Sequence, residues 1–291
     1  MKVTGFSFVR NAVKFDYPVV EAIKSILPIC DDFIVAVGDS EDGTEELIKS
    51  INPDKITIVP TIWDDSLREG GKVLAVETDK AIQALPNDSD WAFYIQGDEV
   101  VHEKYLDNIV AAMHKWKDDE RVQGLLFDYK HFYGSYDYIG SPVNWYRREI
   151  RVIRNDKRIH SYKDAQGFRY DGTEKLNVKH VDAEIFHYGW VRKPEAMQKK
   201  SEIMNRYWHN DEWIDKNVKK RQEYDYAEEH RNLYPFTGTH PQLMHERIER
   251  LNWAFEHDTA KNHYPFKKWL KLKIFELTGY MPGEYKNYKE I

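Results

Sequence analysis

Cysteine is almost missing from this chain, with Cys30 the single one among 291 residues. That excludes an internal disulfide and any thiolate zinc cluster, fits a reducing compartment, and leaves Cys30 as an inert core residue. Long apolar runs are missing too, since none approaches the ~18 residues that a membrane span requires. Mean hydropathy is -0.74 and 32% of residues are charged, which predicts a soluble chain. Basic excess is lacking: 43 Lys and Arg face 49 Asp and Glu, a net of -6, which argues against a general nucleic-acid binder. No G-x-G-x-x-G turn, P-loop lysine motif, H-E-x-x-H helix or G-x-S-x-G elbow occurs. The opening "MKVTGFSFVRN" carries one lysine and no small-residue cleavage site, so it reads as a strand and not a signal peptide, and cytoplasmic residence is expected. Aromatics, in contrast, are abundant at 14%. Their rings suit the apolar faces of sugars and equally well fill cores.

The length allows one large domain with a smaller appendage. In the first half strand-like and helix-like segments alternate, the pattern of a mainly parallel sheet covered by helices. Val3 to Val9, "FIVAV" at 33–37, "KITIV" at 55–59, "WAFYI" at 91–95 and "VQGLLFDY" at 122–129 read as strands. Between them lie helices opened by Pro18, by the "GDSEDGT" turn and by "GGK", and a fourth carrying Tyr105, Leu106, Ile109, Val110 and Met113. Residues 130–190 are rich in aromatics and short β-like pieces, predicting a small mixed or antiparallel extension. From Pro194 onward the pattern turns helical over 194–208, roughly 211–231, and 241–257. The expected division is an α/β region, 1–192, followed by a helical region, 193–291.

Two acidic turns fall at the carboxyl ends of predicted strands, where open α/β sheets bind ligands. In "YIQGDEV" the fourth strand runs directly into Asp98 and Glu99, whose hard oxygens suit Mg2+ or Mn2+ bridging to phosphates. In "GDSEDGT" Asp39 and Asp42 either hydrogen-bond a ribose or base, or cap the next helix.

These residues carry a resemblance. "SEDGT" at 40–44 after a strand resembles the S-x-D-G-T turn of family 2 glycosyltransferases, and "YIQGDEV" sits where that family has its D-x-D motif. The first strand "GFSFVRN", the "GGKVLAVETD" helix start and the late "FHYGW" fall in the same order. The resemblance covers about residues 2–192 and implies a GT-A fold, a nucleotide-sugar donor and a divalent metal held by Asp98. The chain departs from the family pattern where Gln96 replaces the first Asp of D-x-D, and where Val37 and Gly38 stand in place of the acids that often precede S-x-D-G-T. Donor contacts are accordingly assigned to Val9, Arg10, Asp39, Asp42, Gln96 and Gly97. Arg68 and Lys72 are placed for the diphosphate. His187, in "EIFHYGWVR", matches the family's late histidine, which implies a second metal ligand there.

An inverting transfer needs a carboxylate to take the acceptor's proton while cations neutralise the leaving diphosphate. Asp164 in "SYKDAQGFRYDG" is the expected base, with Glu99 and Glu174 as rivals; Arg151 and Arg169 are candidates to orient it, and Arg192, Lys199 and Lys200 to close over phosphates. The segment 266–277, "FKKWLKLKIFEL", puts Phe266, Trp269, Leu270, Ile274 and Leu277 on one stripe beside lysines, a basic amphipathic helix suited to an anionic membrane surface or to packing on the body. The acceptor is then a carbohydrate or lipid-linked hydroxyl, in cell-surface polysaccharide or glycolipid synthesis, with peripheral residence on the inner membrane surface. Two other functions fit less well: a noncatalytic nucleotide- or carbohydrate-binding protein, and a sugar-nucleotide-forming nucleotidyltransferase, whose glycine-rich, arginine-containing loop after the first strand is lacking.

Overall fold

The computed structural model describes residues 1–228 and 232–291. Alternating units open the chain: β1 (Val3–Val9), α1 (Val19–Ile26), β2 (Asp32–Gly38), α2 (Thr44–Lys49), β3 (Ile56–Thr61), α3 (Lys72–Gln83) and β4 (Trp91–Tyr94). They give a parallel sheet in the order β3-β2-β1-β4. Alternation of side chains along each strand divides the core into two layers. Phe33, Val35, Val37, Trp91 and Phe93 pack under α1 together with Ile109 and Met113 of the later α4 (Leu106–Trp116). Ile34, Ala36, Ala92 and Tyr94 face the other way, onto Val73, Leu74, Ala81 and Ile82 of α3.

The sheet then becomes mixed. β5 (Glu99–Val101) precedes α4; after it come β6 (Gly124–Tyr133), β7 (Tyr138–Gly140) and β8 (Arg148–Arg154), and β8 inserts antiparallel between β4 and β6. A separate antiparallel sheet of β9 (Ile159–Tyr162), β10 (Gly167–Tyr170) and β11 (Glu174–Lys175) covers the α3 side. The 14-residue β12 (Asn177–Trp190) runs parallel to β6 and antiparallel to β5, with register breaks after His180 and after His187. The result is a mixed α/β fold: a curled sheet, parallel through its first half and flanked by helices.

Residues 193–291 depart from the expected run of long helices. α5 (Pro194–Arg206) matches its periodicity, but α6 (Asp211–Asn217) ends at Val218, whose backbone is extended, and part of the expected 211–231 helix lies outside the described residues. After β13 (Leu233–Pro235), the segment expected to be helical over 241–257 shrinks to one 3-10 turn and α7 (His245–Glu249). Beyond α7, Trp253 donates its indole N–H to the Gly134 carbonyl at 2.7 Å. Phe255 also packs against Gly134, whose φ of +73° and lack of Cβ permit the close approach. Tertiary contacts of this kind outweigh helix propensity, which is worth tenths of a kcal/mol per residue. α8 (Phe266–Thr278) follows, then β14 (Lys289–Glu290). β13 pairs with β7 and β14 with β12, so the C-terminal region is hydrogen-bonded into the sheet of the first.

Candidate functional site

Asp98 and Glu99 are adjacent but differ in setting: Asp98 closes a turn and Glu99 is the first residue of β5. The turn after β4 leads into β5, and the Tyr188 N–H donates to the Asp98 carbonyl at 2.8 Å, fixing this turn against β12. The Asp98 side chain lines a cavity of about 410 Å3. Val9, Arg10, Gln96, Gly97, Asp164 and His187 line the same cavity, so the ends of β1 and β4, the β9–β10 turn and β12 converge on one space.

Asp98 sits among cations. Lys200 Nζ on α5 lies 3.1 Å from its Oδ2 and the buried Arg192 guanidinium 3.6 Å, while both cations rest over the Tyr17 ring. Burial by itself pushes the Asp98 carboxyl up, but the surrounding field, with Lys200 foremost, holds it well below the usual carboxylate range. Burial, assisted by Arg192 and opposed by Asp98, lowers the Lys200 ammonium to about 8.

His187 completes the floor, and its tautomer follows from a chain of contacts. His131 Nε2 lies 2.8 Å from the Tyr146 carbonyl, which only accepts, so that nitrogen carries the proton. Burial lowers His131 well below the usual imidazole range, so it is neutral and its Nδ1 is bare. His187 Nδ1 lies 3.0 Å from that atom and must donate to it. His187 is likewise lowered by burial, which leaves its Nε2 without a proton. A bare nitrogen therefore faces Asp98 Oδ1 at 3.8 Å, with no hydrogen for the two to share.

This donor set fits a divalent cation. An ionised carboxylate and a neutral imidazole, oriented from behind by a second histidine, are ligands for Mn2+ or Mg2+, which takes its remaining positions from water and phosphate. Gly189 keeps the gap clear: a Cβ there would lie 2.5 Å from His187 Nε2 and 3.0 Å from Asp98 Oδ2. Among the described residues no three acidic, histidine or cysteine side chains form a metal-binding group, so Asp98 and His187 are the two candidate side chains here.

Across the cavity Asp164 is half-buried on the β9–β10 turn, and burial raises its carboxyl above the usual range. Gly71, at φ +70°, lets that turn approach: a Cβ there would lie 2.5 Å from Asp164 Cβ. Beyond the ends of β1 and β2, Arg10 pairs with Asp39 at 3.3 Å and Asp65 at 3.1 Å. Arg10, Asp39 and Arg68 line a neighbouring cavity of about 310 Å3.

Several expectations are corrected. Glu99 is not a cavity acid: it is fully buried, clamped by Arg151 Nε at 2.9 Å and Nη2 at 2.7 Å, and accepts from the Tyr129 hydroxyl at 2.8 Å. Arg151 is thereby committed to Glu99. Asp42 is a turn residue, accepting from Lys14 N at 2.7 Å and from the Thr44 hydroxyl. Lys72 is exposed at the start of α3 and lines none of the cavities described here. Arg68 bonds the Arg206 and His209 carbonyls and Asp211, tying the α5 end to the 64–71 loop. Glu174 is exposed on β11, and Arg169 is buried against the Asn287 carbonyl.

Sequence reasoning missed His131 and the aromatic wall of Tyr17, Trp63 and Trp208. The usable signal for His131 was its strand: it pairs directly with His187 across the parallel β6–β12 ladder.

No family model matches the chain, and no curated protein matches it. The solved structures it resembles include S. aureus TarS 1-349 with UDP, at TM-score 0.39 and 10% identity, over 76% of this chain and 68% of that one. Of another TarS structure the chain covers 39%. A 4-diphosphocytidyl-2C-methyl-D-erythritol synthase from Anaerococcus prevotii gives TM-score 0.38 at 13% identity, over 71% of this chain and 95% of that one. Glucosyl-3-phosphoglycerate synthase from Mycobacterium tuberculosis, with Mn2+, UDP and phosphoglyceric acid, gives 0.30 at 19%, over 46% and 43%. Likeness this distant leaves the site to be read from its own residues.

Proposed function

We propose that the chain is an inverting glycosyltransferase of the family 2, GT-A type, moving a sugar from a nucleotide-sugar donor to a hydroxyl acceptor. One observation carries this reading: an ionised carboxylate and an unprotonated imidazole nitrogen face each other at 3.8 Å on a cavity floor that also holds Lys200, with a second, isolated carboxylate, Asp164, across the same space. A cavity of about 410 Å3 suits a nucleotide sugar. Trp63, Trp208 and Phe8 offer faces for base or sugar, and Arg10 and Asp39 lie at the strand ends where the nucleoside is expected.

In this reading Asp164 accepts the proton of the acceptor hydroxyl as its oxygen bonds the anomeric carbon. The bond from that carbon to the phosphate oxygen breaks, and the nucleoside diphosphate leaves with the electron pair. Its raised proton affinity suits Asp164 to that role. Lys200 and Arg192 counter the charge that develops on the diphosphate. A divalent ion held by Asp98 and His187 would supply further electrostatic stabilisation of the leaving group. The transferred hexose and an acceptor in polysaccharide or glycolipid synthesis belong to this proposal.

The test is a panel of UDP-, GDP-, TDP- and CMP-sugars with Mn2+. Slow release of nucleoside diphosphate, lost in Asp98→Asn, is expected. Tight binding without release under any metal assigns a noncatalytic binding protein instead. A melting temperature unmoved by every nucleotide overturns both readings.

A further inference from the structure

Helix α8 has two apolar faces, and only one is used. Leu272 is buried, Phe275 lies under Arg147 with the guanidinium carbon 4.5 Å from the ring centre, and Lys268 Nζ donates to Asn144 at 2.7 Å. The opposite face presents Phe266 (73% exposed), Trp269, Leu270 and Leu277 (84% exposed), spaced at i, i+3, i+4 and i+11 on one stripe. Tyr280 extends the stripe beyond the Gly279 cap. Ile274, expected on that stripe, is half-buried at its margin.

The charge beside the stripe is predominantly positive. Residues 261–291 contain seven lysines and three glutamates, in a chain whose net charge is -6. Within α8 the lysines are 267, 268, 271 and 273, and the single acid, Glu276, is neutralised by Lys273 at 2.7 Å. An exposed stripe of Phe, Trp and Leu rimmed by lysines matches the interface of an anionic bilayer, where rings and aliphatic chains enter the acyl boundary and ammonium groups meet lipid phosphates. A second copy of the chain is a poorer occupant, because a two-fold contact through this face would set lysines against lysines.

We infer that the outer face of α8 docks the protein on anionic phospholipid membranes. At roughly 20 Å for 13 residues the helix lies flat in the interface. None of the described helices is long and apolar enough to cross a membrane, so the attachment is peripheral. The inference is independent of the donor chemistry proposed above.

The full chain is to be sedimented with phosphatidylcholine vesicles containing or lacking phosphatidylglycerol, and examined by analytical ultracentrifugation without vesicles. Partitioning should rise about tenfold or more with phosphatidylglycerol and fall with added salt. The Phe266→Asp/Leu277→Asp variant, altered at exposed positions and checked by its melting temperature, should lose it, and Lys267→Gln/Lys273→Gln should lose about tenfold. Equal partitioning with and without phosphatidylglycerol, or undiminished binding by the Asp variant, overturns the inference. So does a dimer dissociated by the same Asp substitutions with no vesicle binding, which assigns the face to a second copy.

Discussion

The cavity floor and the sealed cluster directly behind it are built from consecutive residues and treat a carboxylate in opposite ways. Asp98 is offset by Lys200 and Arg192 at 3.1 and 3.6 Å without a bidentate partner, and one of its oxygens still faces a bare imidazole nitrogen. Glu99, one residue on, has both oxygens engaged by Arg151 and by the Tyr129 hydroxyl. The difference lies in what each has left to offer: Asp98 keeps an oxygen toward an open cavity, while both oxygens of Glu99 are engaged. Buried pairs of the second kind add little net stability, because desolvation offsets their attraction, and become costly when one partner is removed.

Four experiments would break or sharpen this contrast. Asp164→Asn should lower transfer to acceptor by about 10²- to 10⁴-fold while donor affinity, measured calorimetrically, stays within a few-fold. A parallel loss of donor binding would make Asp164 a structural residue. Glu99→Ala should destabilise the chain by about 3–5 kcal/mol in urea unfolding, because Arg151 is left buried and unpaired; a folded, inactive variant of normal stability would move Glu99 into the cavity side of the comparison. His131→Phe should weaken Mn2+ binding by about 10- to 100-fold, seen by electron paramagnetic resonance of free Mn2+, and shift the imidazole 15N resonances of His187 toward a tautomer mixture. Unchanged resonances would disprove the tautomer lock.

The smallest effect concerns Glu149, which is nearly fully buried; burial raises its carboxyl to about 8, with Arg151 opposing. With a folded value above the unfolded one, its stabilising contribution is complete below about pH 4.5 and is lost as pH rises toward 8. Glu149→Gln should therefore flatten stability over that window and gain at least about 1 kcal/mol at pH 8, read from urea midpoints. A variant that keeps the wild-type pH slope would place the titration elsewhere.

Much of this was legible from local pattern. β1 through β4 and their helices follow from alternation and helical spacing, since each element's apolar face can be counted along the chain. Asp98 and Asp164 could be singled out because they sit in turns that follow or join strands, where polar groups meet ligands, and His187 because a glycine follows closely in its strand; all three line the cavity. Glu99 was misread for want of one fact, the Arg151 clamp from 52 positions away. Among the described residues the helices expected over 211–231 and 241–257 are shorter for a related reason: their periodicity is amphipathic, but contacts such as Trp253 and Phe255 on Gly134 take the chain elsewhere.

By itself the sequence determined the alternating α/β order, the two polar strand ends and the basic amphipathic stretch at 266–277, because hydrophobic period and turn chemistry act over a few residues. Tertiary structure alone decided which of two adjacent carboxylates opens to a cavity, and that His131, by accepting from His187 Nδ1, leaves His187 Nε2 bare. It also decided that α8 keeps a second apolar face outward. Each of these depends on residues brought together across the sheet from far along the chain, and no local pattern records such a meeting.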